Sequence, residues 1–453
     1  MALLITAPAL FSKGMFSDGL LYAAISRNMA NDMGSFWVPH LSDGFFDRFF
    51  EHPPLALGLQ SIWFRLLGDS FLIERFYSLF TLVLNGWIIV LIWKHFTGSF
   101  QRGWLPLFLW IMVSTVTWSC ANNMLENTMA VFVSLGFLFY LKYTDKGHWS
   151  FILLSGTMLA LSALTKGLVG LYIWGAPFFM WLVFKNRSFG KMVLESVFLI
   201  LSTSLPIVLL YLFSDAAAFN MVSYFKHQVV DASQNVVTVD SRFAILKEFF
   251  SQTLIPIILI VLIITPGLIK RKKQTMQTLA ENKKLFLILM LIVMAGVLPI
   301  MISVKQRGFY ILTVYPFFSI AAGLLVLPLV EKRLSGLRHA HFKVLKWACV
   351  ALIIASLTLS VVQSNSIGRD KDKLFMCYEV IKLSGKGSRI NIAEEFKNES
   401  SLHGYFARYG NVSLITLEKE RLPYYLVPGS IGHIPGYQRV KIQSGSYSLF
   451  HKP

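Results

Sequence analysis

The sequence predicts an all-α polytopic membrane protein of about 11 transmembrane helices, with a small α/β domain at its C-terminal end. Of the 453 residues, 55% are hydrophobic and only 15% are charged, whereas soluble globular proteins carry about 25% charged residues. Apolar runs close to the ~20 residues that a membrane-spanning helix needs recur up to residue 363. After that residue, polar and turn-forming residues return.

Ten apolar runs mark the predicted spanning helices, and the first eleven residues form a short eleventh candidate. The closely spaced runs between 104 and 184 divide in more than one way, which gives a range of roughly 10–13 helices. The runs cover 76–93, 104–121, 124–141, 150–165, 168–184, 192–213, 250–269, 285–304, 309–330 and 344–363.

The loops between these runs carry the charge that predicts orientation. Five alternate loops, with the last counted to Lys346, contain 18 of the 42 Lys and Arg residues, against Asp145, Glu281 and Glu331. The positive-inside rule places these loops in the cytoplasm. The acidic loops at about 12–75 and 214–249 then face outward. We therefore expect a multi-pass membrane protein with a cytoplasmic N-terminus. We therefore interpret the net charge of +18 as a determinant of membrane topology. Nucleic acid, the usual partner of a strongly basic soluble protein, is not expected as a partner.

The chain is expected to form two domains. Residues 1–363 form the transmembrane domain, and residues 364–453 form an extracytoplasmic α/β domain. In the second domain, Lys373–Leu383 has helical spacing. Three alternating segments, Arg389–Ile392, Val412–Ile415 and Tyr447–Phe450, predict strands.

Motifs of several enzyme classes are absent from the sequence. It contains no GxxxxGK[ST], GxGxxG after a strand, HExxH or GxSxG motif. The three cysteines form no CxxC pair and indicate no disulfide framework. No motif in the sequence indicates a cofactor. Binding of a divalent metal ion stays open, but no group of residues supports it. Nothing in the sequence indicates an oligomeric state.

Polar residues gather at the predicted outer ends of the helices. Asp18, at the start of the first outer loop, suits a half-buried general base, although a helix N-cap is the ordinary alternative. Arg75 suits an anionic lipid head group, with a snorkelling side chain as the alternative. Lys166 lies outside the basic clusters and needs an anionic partner or water.

Together these groups could bind a phosphate-bearing lipid and activate a hydroxyl group beside it, because the topology places them on one membrane face. The candidate residues are the carboxylates Asp18, Glu51 and Glu126, the cations Arg75, Lys166, Lys305 and Arg307, and the neighbouring rings of Tyr22, His52 and Tyr310.

Five short stretches in this order resemble the multi-pass lipid-linked-sugar glycosyltransferases of the GT-C fold. The nearest likeness is to the bacterial aminoarabinose transferase of lipid A and the protein O-mannosyltransferase-like (dolichyl-phosphate-mannose-protein mannosyltransferase-like) enzymes. The likeness covers about residues 1–330. The matching stretches are Asp18 with Tyr22-Ala23, His52-Pro53-Pro54, Arg75 with Ser78, Leu164-Thr165-Lys166-Gly167, and Ser303 with Lys305, Tyr310-Ile311-Leu312 and Tyr315-Pro316.

The resemblance implies transfer of a sugar from a polyprenyl-phosphate donor, on the outer face of the bacterial cytoplasmic membrane, to a glycolipid such as lipid A, a polysaccharide or a protein. It implies that Asp18 is the base, with inversion at the sugar carbon, and that Arg75, Lys166, Lys305 and Arg307 hold the donor phosphate. The remaining candidates would bind substrate. If the acceptor is itself a phosphate, Asp18 orients it instead.

Two positions depart from the family pattern. Gly19 replaces a Glu and His52 replaces a Lys, which puts a second carboxylate or a metal role at this corner in doubt. Three alternatives remain open: a transporter or flippase of lipid-linked sugars, a membrane O-antigen ligase or polymerase, and a catalytically silent relative. A transporter would be expected to show inverted repeats and ionisable residues near the midplane.

Overall fold

The computed structural model describes residues 2–231, 237–336, 338–364 and 366–453, which divide into two compact units. The helical unit consists of Met1–Thr6, Ser78–Cys120 and Glu126–Ser356. The mixed unit consists of Ala7–Tyr77, Ala121–Leu125 and Leu357–Pro453. Most of the predicted first outer loop and the C-terminal segment therefore contribute to one unit. That residues 364–453 form a domain of their own stays a prediction.

Long apolar helices dominate the helical unit. Within the described residues, seven helices are long and apolar enough to cross a membrane, or eight if one bent pair is a single span. Leu55–Leu67, Ser150–Lys166 and Leu168–Phe184 are apolar but shorter. The predicted total of about 11 spans stays a prediction. The helices are α4 (Ile73–Thr97), which begins in the mixed unit, α5 (Trp104–Ile111), α6 (Ser114–Ala121), α7 (Leu125–Lys146), α8 (Ser150–Lys166), α9 (Ala176–Phe184), α10 (Phe189–Phe213), α11 (Asp215–Tyr224), α12 (Ala244–Gln252), α13 (Leu254–Glu281), α14 (Lys283–Val297), α15 (Tyr315–Ser335) and α16 (His339–Gln363), which ends in the mixed unit.

Several predicted helical runs are interrupted in the structure, either at mid-length or near an end. The run 104–121 is two helices, α5 and α6, bent by 74°. The second of them contains β-branched and small polar residues, which are weaker helix formers than the leucines before them. Three 3₁₀ segments, at Leu168–Gly175, Leu298–Ile302 and Gly308–Val314, start or end other runs. These breaks place irregular backbone beside Lys166 and Arg307.

The mixed unit combines helices with one sheet. Its helices are α2 (Ser17–Ala30), α3 (Leu55–Leu67), α17 (Lys371–Ser384) and α18 (Ser400–Gly410), and α1 (Ala2–Phe11) leads into it. The strands are β1 (Arg389–Ile392), β2 (Ser413–Thr416), β3 (Tyr424–Pro428), β4 (Gln438–Val440) and β5 (Tyr447–His451). They are ordered β2-β1-β3-β5-β4, with β1 parallel to β2 and β3, and β5 antiparallel to β3 and β4. The predicted helix and three predicted strands of this segment are confirmed, and so is the fold class.

Helix α2 packs into the core that the C-terminal segment forms. Leu20 is fully buried in one cluster with Leu374 of α17, Leu402 of α18 and Leu414 of β2. On the next face of α2, Leu21 and its neighbours form a second cluster that includes Ala407. The helix that carries Asp18 is therefore held by apolar contacts with the C-terminal segment, since burial of each such side chain contributes about 1.5–3 kcal/mol.

Candidate active site

Asp18 lies in the first turn of α2, and its side chain is half-buried. The Ser17 hydroxyl donates a hydrogen bond to Asp18 Oδ1 at 3.3 Å. The N-cap position is Phe16, so the alternative of an Asp18 N-cap does not hold. A carboxylate in the first turn is favoured by the positive end of the helix dipole. The charge of Asp18 is therefore stabilised at a partly accessible position.

The Asn122-Asn123 segment braces this first turn. Asn122 Oδ1 accepts a hydrogen bond from the Phe16 amide at 2.7 Å. Asn123 Nδ2 donates to the Gly19 carbonyl at 3.3 Å, and the Gln60 side chain donates to Asn123 Oδ1 at 2.6 Å. A Cβ on Gly19 would lie 2.0 Å from the Asn122 carbonyl oxygen. A Glu at position 19, as in the family pattern, would therefore clash with the backbone of Asn122, and this explains the glycine.

An ion network of buried Arg27, Arg408 and Glu74 with half-exposed Asp69 holds the other end of α2. Arg408 of α18 donates to Asp69 Oδ1 at 2.6 Å, and its Nη2 and Nε atoms donate to the two oxygens of Glu74 at 3.0 and 3.2 Å. Arg27 of α2 joins the network through Asp69 at 3.4 Å and the Ala407 carbonyl at 2.7 Å. Arg408 is 2% exposed and Glu74 is fully buried. Burial alone would lower the pKa of Arg408, but the charges of Glu74 and Asp69 raise it above its usual value.

Sequence reasoning did not identify Arg27 or Arg408. The sequence carries no local signal for them, because Arg408 and Glu74 are 334 residues apart. The only indication is the residue type itself. An Arg on the mainly apolar face of α18 predicts a buried anionic partner, but not which one.

Tyr22, Glu51 and His52, predicted to bind substrate, all lie in the mixed unit. Tyr22 is buried, and its ring meets the edges of Phe49 and His52 at centroid distances of 6.4 and 5.8 Å. Glu51 and His52 are half-buried in the loop between α2 and α3, just before α3 begins at Leu55. The structure thus brings Tyr22 and His52 together, and their role in substrate binding stays a prediction.

Arg75 is buried, with 2% of its surface exposed. Its Nη2 donates to the Gly14 carbonyl at 2.7 Å and to the Ser12 carbonyl at 3.4 Å. Because it is buried and bonded to backbone, the snorkelling alternative does not describe it. Arg75 fixes the segment that connects α1 to α2, and its contact with a donor phosphate stays a prediction.

In the helical unit, Lys166 ends α8 and pairs with Glu126 of the first turn of α7. The ammonium group donates to Glu126 Oε1, and the two side chains are 5% and 0% exposed. The anionic partner that an isolated lysine needs is therefore another predicted site residue. Lys166 Nζ also lies 5.3 and 5.5 Å from the ring centroids of Phe309 and Tyr310, within cation–π range.

A cavity of about 380 Å³ adjoins this pair through Phe309. Its lining includes exposed Arg307 and Glu248 and buried Gln306. The Trp118 ring stacks on Phe309 with 5.8 Å between centroids. The remaining lining residues are Thr115, Thr238, Val239, Ala244, Gln252 and Gly308.

The segment 303–310 is held in shape by hydrogen bonds within the helical unit. The Thr238 hydroxyl accepts from the Gln306 amide at 2.8 Å, and Gln306 Oε1 accepts from the Ile245 amide at 2.8 Å. Lys305 Nζ donates to Gln228 Oε1 at 2.6 Å. Sequence reasoning missed Gln306, Glu248 and Trp118, whose residue types carry no motif and meet here only through the fold.

The helical unit therefore brings three of the four predicted phosphate-binding cations, Lys166, Lys305 and Arg307, to the region of a cavity and aromatic rings. Ammonium and guanidinium groups donate charge-assisted hydrogen bonds to phosphate oxygens, and aromatic faces suit a sugar ring or an apolar chain. Within this unit, Lys166 and Tyr310 lie together, Arg307 lies at the cavity that Phe309 lines, and Lys305 is two residues from Arg307. The chemistry fits an anionic amphiphilic ligand.

The sequence matches one protein-family model, dolichyl-phosphate-mannose-protein mannosyltransferase, over residues 51–214. No curated protein sequence matches the chain. The family match covers the segment that contains Arg75, Glu126 and Lys166.

Solved structures resemble the chain over nearly its whole length. ArnT from Cupriavidus metallidurans, solved in the apo state and bound to undecaprenyl phosphate, has a TM-score of 0.66 at 13% identity, and the likeness covers 99% of this chain and 96% of that one. The oligosaccharyltransferase AglB from Archaeoglobus fulgidus, in complex with an inhibitory peptide and a dolichol-phosphate, has a TM-score of 0.50 at 14% identity, covering 100% and 74%. The apo oligosaccharyltransferase of the same organism has a TM-score of 0.56 at 12% identity, covering 94% and 69%.

Because these identities are low, the likeness to the solved structures shows the fold alone. The likeness in sequence is shown by the family match over residues 51–214. The apolar helices and the ArnT likeness indicate a multi-pass membrane protein. The chain has the GT-C fold, and the predicted resemblance to the lipid-linked-sugar glycosyltransferases of that fold is confirmed.

Proposed function

We propose that this protein transfers a sugar from a polyprenyl-phosphate donor to an envelope acceptor on the outer face of the bacterial cytoplasmic membrane. The acceptor is a glycolipid such as lipid A, a polysaccharide or a protein. The observation that carries the proposal is the Lys166–Glu126 pair, with the rings of Phe309 and Tyr310 within cation–π range of Lys166, beside the cavity that Arg307 lines. The bound undecaprenyl phosphate of ArnT and dolichol-phosphate of AglB support a donor of this class.

In this proposal the donor phosphate binds at the cations of the helical unit. An ammonium group has three N–H donors, and one N–H of Lys166 goes to Glu126. The others are directed to the phosphate, and Lys305 and Arg307 supply further charge as the phosphate becomes the leaving group. Arg75 is assigned to the same phosphate. The ring of Tyr310 packs on the sugar, and Tyr22, Glu51 and His52 contact substrate.

Asp18 acts as the general base in this proposal. It takes the proton from the acceptor hydroxyl, whose oxygen attacks the sugar carbon from the side opposite the phosphate and inverts that carbon. The half-buried carboxylate and its hydrogen bond from Ser17 support the role. If the acceptor is a phosphate, which carries no proton to remove, Asp18 orients it instead.

We expect Asp18→Asn to lower sugar transfer by about 100-fold or more, because a general base contributes roughly 10²–10⁴-fold. The protein should accumulate in the membrane normally, since Asn preserves the shape of the side chain. The measurement is transfer from a polyprenyl-phosphate sugar by the purified protein in nanodiscs. The donor and acceptor are first identified by mass spectrometry of envelope glycolipids and glycoproteins from cells with and without the gene.

The matched control is Asp32→Asn at the other end of α2. Asp32 has φ 58°, which Asn tolerates, and its exposed pair with Arg65 contributes little. Asp32→Asn should keep full activity. Near-normal transfer by Asp18→Asn would overturn the assignment of Asp18. Movement of the lipid-linked sugar across vesicles without any transfer would support a flippase and overturn the proposed function.

A further inference from the structure

Helix α13 folds back on itself at its basic end. Arg271 has non-helical backbone angles, φ −147° and ψ 55°, and the segment after it returns towards the segment before it. A Cβ on Gly267 would lie 2.7 Å from the hydroxyl oxygen of Thr275, and Thr275 is buried. Eight residues apart in a straight helix, these two positions would lie about 12 Å apart along the axis. The bend therefore builds a corner between the two arms of α13.

This corner and the end of α15 enclose a second cavity, of about 300 Å³, in the helical unit. Arg333 of α15 ties the two helices together by donating to the Ile263 carbonyl at 2.8 Å. The cavity is lined by apolar Ile263, Pro266, Gly267 and Leu329, by polar Gln274, Thr275 and Thr278, and by the cations Lys270, Arg271, Lys332 and Arg333.

The charge of this lining is entirely positive. Four cationic residues, all exposed, contribute to it, and no carboxylate is among the described residues that line it. Lysine and arginine in this number, beside hydroxyl and amide groups, match the oxygens of a phosphate group. By the positive-inside prediction, this end of α13 lies at the cytoplasmic leaflet.

The apolar part of the lining distinguishes a lipid from a soluble anion. The cavity is lined by residues of α13, and this helix packs little against the rest of the protein. Only 6% of its membrane-spanning window is buried. Leu262 and Ile269 beside it are 62% and 78% exposed. An acyl chain can therefore lie along α13 while its head group enters the cavity. Basic pockets between transmembrane helices bind anionic head groups in this way.

We propose that this corner binds the head group of an anionic phospholipid of the cytoplasmic leaflet, with Lys270 and Lys332 as phosphate ligands. The site is separate from the proposed sugar-transfer residues and does not depend on that function. Arg333 also holds α13 to α15, and Arg271 forms the bend, so the two lysines are the positions at which ligand binding can be tested without disturbing the helices.

The test uses the full-length protein purified in detergent, with phosphatidylglycerol or phosphatidylcholine added. Native mass spectrometry counts retained lipid, and thermal unfolding gives the shift in Tm. The wild type should retain phosphatidylglycerol and show a larger increase in Tm with it than with phosphatidylcholine. The double variant Lys270→Gln and Lys332→Gln should lose at least half of both effects. Inorganic phosphate should not reproduce the Tm shift.

The matched control is the double variant Lys272→Gln and Lys273→Gln, which removes the same charge beside the same bend at exposed residues that do not line the cavity. It should behave as the wild type, and Lys270→Arg with Lys332→Arg should retain the lipid. Equal lipid retention by all variants, or equal loss in both glutamine variants, would overturn the proposal. A wild-type shift with inorganic phosphate as large as with phosphatidylglycerol would assign the site to soluble anions and overturn it too.

Discussion

The ammonium group of Lys166 is enclosed by protein at the end of α8, where a single cation is costly unless an anion meets it. Glu126 supplies the anion, and both groups are almost completely buried. Each residue therefore depends on the other for stability. This dependence complicates the substitution of either residue alone, because loss of one partner leaves an uncompensated buried charge.

We expect Lys166→Ala to lower the amount of folded protein as well as donor use, since leaving a buried partner unpaired costs about 3–5 kcal/mol. The double variant Lys166→Met with Glu126→Gln removes both charges and should recover most of that stability. It should still show a large increase in apparent KM for the polyprenyl-phosphate donor and a small change for the acceptor.

Size-exclusion profiles and donor titrations in nanodiscs separate the two effects. If the double variant folds and binds donor as well as the wild type, Lys166 has a purely structural role. If the single and double variants are equally stable, Lys166 and Glu126 do not depend on each other for stability, contrary to what their burial implies.

His403 is a buried histidine that should make the stability of the mixed unit depend on pH. Its ring is 2% exposed, Nε2 lies 3.1 Å from the Lys397 carbonyl, and Phe45 stacks on it at 4.4 Å. Burial lowers its pKa to about 4, below the usual 6.5, with the backbone hydrogen bonds opposing the shift. The neutral ring is therefore the folded form.

Because the folded pKa is depressed, the stabilisation is complete above pH 6.5 and is lost as the pH falls towards 4. We expect the mixed unit to lose about 2 kcal/mol between pH 7.5 and pH 5 from this group alone. Thermal unfolding across this pH range measures it. His403→Gln, which has no titrating ring, should show a shallower pH slope than the wild type, and an unchanged slope would contradict the assignment.

At the scale of elements, α18 is the part of the C-terminal segment that holds α2. It contributes Leu402 and Ala407 to the clusters that enclose α2, and Arg408 to the network with Glu74, Asp69 and Arg27. The network fixes the orientation of α18, because a guanidinium group bonds both oxygens of a carboxylate in one geometry.

We expect Arg408→Ala to destabilise the mixed unit by about 3–5 kcal/mol, because Glu74 stays buried without its partner. The double variant Arg408→Met with Glu74→Gln should regain most of this loss. Thermal unfolding and limited proteolysis of the purified protein follow the change. Equal stability of Arg408→Ala and the wild type would show that water or another cation reaches Glu74.

At the scale of the whole molecule, the mixed unit is assembled from segments far apart in the chain. Met15 and Leu20 from the start lie in one core with Leu374, Leu426 and Leu449 from the end. An N-terminal segment that contains Asp18 therefore cannot complete its core until the last strand is present.

We expect a chain that ends at residue 363 to fail to accumulate as monodisperse protein, because side chains such as Leu20 would lose their apolar neighbours. A chain that lacks only Lys452 and Pro453, both exposed and outside β5, should behave as the full length. Size-exclusion chromatography in detergent compares them. Normal yield of the shorter chain would show that residues 364–453 are dispensable for folding.

The sequence by itself determined the features that depend on local periodicity and hydropathy. It predicted the helical runs, because a spanning helix satisfies its backbone within one segment, and it predicted the helix and strands of the C-terminal segment. It also indicated the polar stretches at helix ends. Short motifs were enough to suggest the GT-C glycosyltransferases, since their order along the chain is specific.

Only the tertiary structure decided which charges meet. It paired Lys166 with Glu126 and Arg408 with Glu74, and it explained Gly19 by the carbonyl of Asn122. These contacts join residues 40, 334 and about 100 positions apart. Hydropathy and spacing describe neighbours in sequence, whereas a buried charge is stabilised by whichever partner the fold brings within hydrogen-bonding distance.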